Sequence, residues 1–173
     1  MPARGGLYSV PYRQSRVKRT LLEMAAARFI DLESQRKIPR ERLDERWIQG
    51  VLLGFLEDRI GYMELEYPVD NGRVDFYHKG NPPSAIELAV VRDRKYLPWE
   101  HLPDKNRTEI KKLRTMDYPK KLRRFLLLID LISKKPFEKK KLKESYAEYF
   151  KNGGKSCVTV IYVHKEDKFS FAF

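Results

Sequence analysis

The segment Phe125-Leu-Leu-Leu-Ile129 places five apolar residues in succession, with Arg123 and Arg124 before it and Asp130 after it. Alternate residues of a strand point to opposite faces, so such a strand, expected over 123–132, has to be covered on both sides. The chain supplies the covers. Leu21, Leu22, Ala25, Phe29 and Leu32 recur near the 3.6-residue period across 15–37, and Pro39 ends that segment. A second helix is expected over 40–60, with Trp47, Val51 and Phe55 on one apolar face and Gly61 as its stop.

The middle of the chain has a different texture. Segments 62–69 and 73–78 read as strands joined by the tight-turn signal Asp70-Asn71-Gly72. After a second turn, Gly80-Asn81-Pro82-Pro83, a third strand spans 84–91. A charged loop holding Pro98 and Pro103 follows. Asn106 and Glu109 have the spacing of a capping box opening a helix to Met116. Segment 137–150 is helical, with Leu142, Tyr146, Tyr149 and Phe150 on one stripe, and 157–164 and 168–173 close the chain as two strands around Glu166-Asp167. The expected order is α-α-β-β-β-α-β-α-β-β, an α/β mixed sheet flanked by helices. Residues 15–173 read as one domain, preceded by a loose or docked arm over 1–14.

Charge narrows the partners. Lys and Arg number 36 against 24 acids, a net charge of +12, which favours polyanions because each neutralised phosphate releases a counterion. The apolar runs are far shorter than a membrane span, and no signal peptide is read at the N-terminus. The single Cys157 excludes an internal disulfide and fits a reducing cytoplasm. With only His78, His101 and His164 beside it, a structural zinc site is not expected. No G-x-S-x-G and no glycine-rich phosphate loop is present.

Chemistry concentrates in two neighbouring strands. Arg73, Asp75 and Tyr77 should share one face of the second strand, with Val74 and Phe76 on the other. In the third strand Glu87 and Ala89 should share a face, with Ile86, Leu88 and Val90 toward the core. Asp75 and Glu87 then stand side by side near a turn. Paired carboxylates repel and call for a cation, and hard oxygen ligands suit Mg²⁺ or Mn²⁺. The plain alternative is that both are ordinary strand residues, solvated or paired with Arg73 and Arg92.

The spacing Asp75, eleven residues, Glu87-Leu88-Ala89 resembles the PD-(D/E)xK nucleases, whose signature is an acid after a turn and then an acid-x-Lys on the next strand. The resemblance runs from about 40 to 132 and includes the order of elements. It implies a restriction-endonuclease-like fold and metal-dependent hydrolysis of DNA phosphodiesters. Asp75 and Glu87 would hold Mg²⁺ or Mn²⁺, the main-chain carbonyl of Leu88 would add a ligand, and an acid on the preceding helix, Glu45 or else Glu41, would support the second metal.

The departure is Ala89, where the family carries a catalytic lysine. Three readings follow: a lysine migrated to Lys112 or Lys95 (Arg92 is a third donor), an inactivated Lys→Ala form of an active enzyme, or a nuclease fold kept for binding. The family also implies, by analogy, a homodimer or a partner subunit of a defence, transposition or repair system.

Arg73, Arg92, Arg94, Lys111, Lys112, Arg114, Lys120 and Lys121 are the candidates for DNA binding. Arg123, Arg124 and the lysines between 134 and 143 extend that basic set. Lysine dominance points to phosphate contacts more than base readout. Tyr96 and Trp99 are the aromatics placed to stack on bases. Two rivals to an endonuclease remain: a non-catalytic nucleic-acid-binding or assembly module on this fold, and a structural protein whose basic face docks an acidic partner.

Overall fold

A computed structural model describes residues 16–36, 43–93, 98–116, 119–152 and 156–173. The expected arm, Glu41, Arg94, Lys95 and Tyr96 lie outside the described residues. The elements are α1 (Arg19–Arg36), α2 (Glu45–Ile60), β1 (Glu64–Val69), β2 (Gly72–His78), β3 (Ser84–Val91), α3 (Leu102–Lys105), α4 (Arg107–Thr115), β4 (Arg123–Asp130), α5 (Lys139–Tyr149), β5 (Thr159–Val163) and β6 (Lys168–Ala172). A 3₁₀ turn, Trp99–His101, leads into α3.

The six strands form one sheet in chain order. β1, β2 and β3 make an antiparallel meander, β3, β4 and β5 run parallel, and β6 returns antiparallel to β5. The fold is α/β with a mixed open sheet. Both parallel connections step the same way along the sheet, so crossovers of one hand carry α4 and α5 to the same face. Helices α1 and α2 cover the other.

β4 shows how the apolar run is used. Phe125, Leu127 and Ile129 enter the core under α1 and α2, built around Leu22, Phe29, Ile48 and Leu52. Leu126 and Leu128 enter the second core with Leu113, Leu142 and Tyr146. Each face of the strand is therefore dry.

Three local expectations are corrected. Helix α2 begins at Glu45, not near Arg40, because Asp44 caps it by accepting the Arg46 N–H at 3.0 Å. Its buried face is Ile48, Gln49, Leu52, Leu56 and Ile60, with Trp47, Val51 and Phe55 only partly buried at its side. Asn106 does not cap α4 through its side chain. The α3 turn runs directly into α4, and the buried Asn106 amide instead donates to the Tyr146 hydroxyl at 2.6 Å.

Asp130, 1% exposed, ends β4. Its Oδ1 accepts the Ile132 and Ser133 N–H groups at 3.2 and 3.0 Å, and its Oδ2 accepts the Tyr162 hydroxyl at 2.7 Å. Tyr162 in turn accepts the Phe137 N–H at 3.1 Å. Asp130→Ala strands these donors in a dry site, and a loss of about 3 kcal/mol is expected in urea denaturation. An unchanged midpoint would show that the network contributes nothing.

Candidate active site

The β1–β2 turn starts the construction. Gly72 has φ +124, open to glycine and hard for any other residue, and it starts a register in which Val69 pairs with Gly72 and Tyr67 with Val74. The next step, Glu66 opposite Asp75, is missing from the ladder, and Glu66 has φ +50. On the other side, the β2–β3 ladder pairs His78 with Ser84, Tyr77 with Ala85 and Phe76 with Ile86, and then stops. Continued by one step, that register sets Asp75 opposite Glu87. Asp75 thus sits where β2 leaves regular pairing with both neighbours.

The break also corrects the expected alternation in β2, while β3 keeps the alternation expected of it. Val74 lies with Tyr77 in the core under α4 and α5, while Phe76 lies in the other core. Strand β3 is buried on both faces, with Ile86 and Leu88 in one core and Ala85, Ala89 and Val91 in the other. The Asp75 carboxylate uses the gap. Its Oδ2 accepts the Leu88 N–H at 2.5 Å, and its Oδ1 accepts the Gln49 side-chain amide at 2.9 Å. Gln49 also reaches Glu66 Oε1 at 3.4 Å.

Lys112 joins from α4. Its ammonium lies 2.7 Å from Glu87 Oε1 and donates to the Arg73 carbonyl at 2.9 Å. Its stem passes the Gly72 turn, and Asn71 donates to the Thr115 hydroxyl at 2.9 Å, which docks the hairpin tip on α4. Asp75, Glu87 and Lys112 therefore come together from three elements.

Their protonation follows from crowding and burial. Asp75 and Glu87 are 7% and 1% exposed. Burial pushes the Glu87 carboxyl up to about 9; Asp75 adds to the rise, and Lys112 opposes it. Burial also raises Asp75, against the pull of the Leu88 N–H. For Lys112, burial works against the charge, but Glu87 outweighs it and holds the ammonium above its ordinary range. The three groups titrate as a unit, and one shared proton on the acid pair beside the ammonium leaves it neutral overall.

The remaining expected residues are distributed around this centre. Glu45, at the start of α2, lines a cleft of about 90 Å³ with Ala89, Val90, Arg92, Asn106 and Glu109. Burial raises its pKa, Asp75 adds to the rise, and Arg92 opposes it. Among the described residues no three His, Cys, Asp or Glu side chains gather as a metal cage, so Glu45 does not close a triad with Asp75 and Glu87. Arg92 donates to the Leu43 carbonyl, and Arg73 meets the centre through its main chain.

The basic set divides by residue type. Arg114 donates to the Phe150 carbonyl and lies over the Phe150 and Phe173 rings, Arg124 ties Leu113, Met116 and Leu122, and Arg123 holds the Val17 carbonyl. These arginines are structural ties. Lys111, Lys120 and Lys121 are exposed, and Trp99 packs partly into the second core.

Gln49, Glu66 and Glu109 are the site residues that the sequence reading did not assign. The turn register places Glu66 opposite Asp75, and Gln49 follows Glu45 by one helical turn, so both left a signal.

Because Glu87 holds its proton to about pH 9 folded but releases it near 4.5 unfolded, its contribution to stability is full below pH 4.5 and declines as pH rises toward 9. Without divalent metal, unfolding free energy is expected to fall over this range by up to about 1.4 kcal/mol per pH unit. Glu87→Gln should flatten the slope; the same slope in both proteins would reject the assignment.

No family model, curated protein or solved structure matches this chain.

Proposed function

We propose that this chain is a metal-dependent DNA endonuclease with a restriction-endonuclease-like PD-(D/E)xK fold, in which Lys112 replaces the motif lysine missing at Ala89. The observation that carries the reading is the ammonium of Lys112, 2.7 Å from Glu87, beside a carboxylate pair held at the break between β2 and β3. The element order, the meander followed by a parallel crossover, and the spacing of Asp75 and Glu87 support the same reading. The charge of +12 suits DNA as substrate.

Two buried carboxyls that share a proton fit a divalent ion, which takes the proton's place. Asp75 and Glu87 would hold Mg²⁺ or Mn²⁺. When bound, the ion lowers the pKa of a water and offsets charge on the phosphate. Gln49 and the Leu88 N–H orient Asp75, and Lys112 presents its ammonium to the negative charge that grows on the phosphate oxygens. Glu45 and Glu109 line the adjoining cleft and supply carboxylates at its wall.

One observation favours a second reading. Lys112 already balances the acid pair, which suits a non-catalytic nucleic-acid-binding module on the same fold, working alone or with a partner subunit.

Cleavage of supercoiled plasmid with Mg²⁺ or Mn²⁺ separates the two. The expected result is cleavage abolished by Asp75→Ala, reduced at least about a hundredfold by Lys112→Met, and partly restored in Lys112→Met/Ala89→Lys. Cleavage indifferent to Lys112 would remove it from the mechanism. No cleavage, with salt-sensitive DNA binding retained, would favour the binding module.

A further inference from the structure

Helix α4 borders two hollows that share Arg107 and Lys111. One, of about 490 Å³, adds Asn71, Thr108 and Lys112 and so adjoins the acid pair. The other, of about 360 Å³, lies between α4 and α5 and adds Ile110, Arg114, Thr115, Tyr149 and Phe150. Arg107, Lys111 and Arg114 share a helix face with Ile110, at spacings of three and four residues. Among the described residues, no carboxylate lines either hollow. The first is cationic and polar; the second is an apolar slot with a cationic rim.

Tyr149 forms the slot's outer wall and is 43% exposed. Its hydroxyl donates to Asp104 at 2.5 Å, and its ring meets Phe150 edge-on with centroids 4.9 Å apart. A half-exposed aromatic ring, anchored at its hydroxyl and set beside cations, is a platform for base stacking. Arg107 and Lys111, one helical turn or about 6 Å apart, would take the flanking phosphates.

We propose that the α4–α5 slot receives an unstacked nucleobase of the strand whose phosphate reaches Lys112, so that the substrate is DNA with unpaired nucleotides beside the cut. The inference rests on the nuclease reading for its direction along α4. A paired duplex keeps its bases inside the stack and leaves the slot empty.

Binding of labelled oligo-dT and of a duplex of equal length, read by fluorescence anisotropy in EDTA, tests it on the full chain. Tyr149→Ala should weaken oligo-dT binding about tenfold and duplex binding less than twofold, while Tyr149→Phe keeps both within twofold. Arg107→Glu/Lys111→Glu should weaken both and flatten the salt dependence. Should Tyr149→Ala lower the Tm, Tyr149→Leu, which keeps apolar bulk but loses the ring, carries the same comparison.

Equal losses on both DNAs from Tyr149→Ala, or no loss on either, would overturn the proposal. So would displacement of oligo-dT by poly-glutamate at matching affinity, which would assign the face to an acidic protein. The expected binding pattern without Mg²⁺-dependent cleavage would keep the slot and reject the nuclease; cleavage indifferent to Tyr149 and to strand pairing would do the reverse.

Discussion

A carboxylate taken out of water costs several kcal/mol unless its charge is neutralised or bonded, and this sheet sets two of its buried acids, Asp75 and Glu87, in contact. Their neighbours answer that cost from separate elements. Helix α2 offers the Gln49 amide, strand β3 offers the Leu88 N–H, and helix α4 offers the Lys112 ammonium. Because Lys112 also bonds the Arg73 carbonyl, α4 is tied to the hairpin as well as to Glu87. Apolar packing would tolerate small slides of these helices over the sheet. Directional bonds to a buried charge tolerate much less.

The break in strand pairing is what admits such a centre. Regular ladders would spend the Leu88 N–H on β2; here it is turned to a side chain. The parallel side of β3 stays intact along its whole length against β4, so the strand keeps its place while its other edge opens. Ala89 faces the resulting cleft, where its small side chain leaves space and Lys112 approaches Glu87 from the helix above. An ammonium delivered from a helix leaves the strand position free.

Surface charge in this protein divides by residue type. Arg114, Arg123 and Arg124 use their forked donors on main-chain carbonyls that helix and strand ends leave open. Exposed lysines remain along α4 and the turn before β4, as point charges suited to phosphate. Net charge alone does not distinguish them.

The sequence by itself determined the strands, the helices and the proximity of two acids. The doubly apolar Phe125–Ile129 run, the Asp70-Asn71-Gly72 turn and the spacing from Asp75 to Glu87 are local, and periodicity reads them directly. It also named Lys112 among the donors, but only as one of several. Tertiary structure brings Lys112 to Glu87 through the packing of α4 on β3, a contact between residues 25 apart with no fixed register. The same packing turned Asn106 from a cap into a partner of Tyr146, and brought Gln49 rather than Glu45 onto Asp75. Such choices depend on helix placement to within a hydrogen-bond length, and no repeat of two or 3.6 residues encodes that.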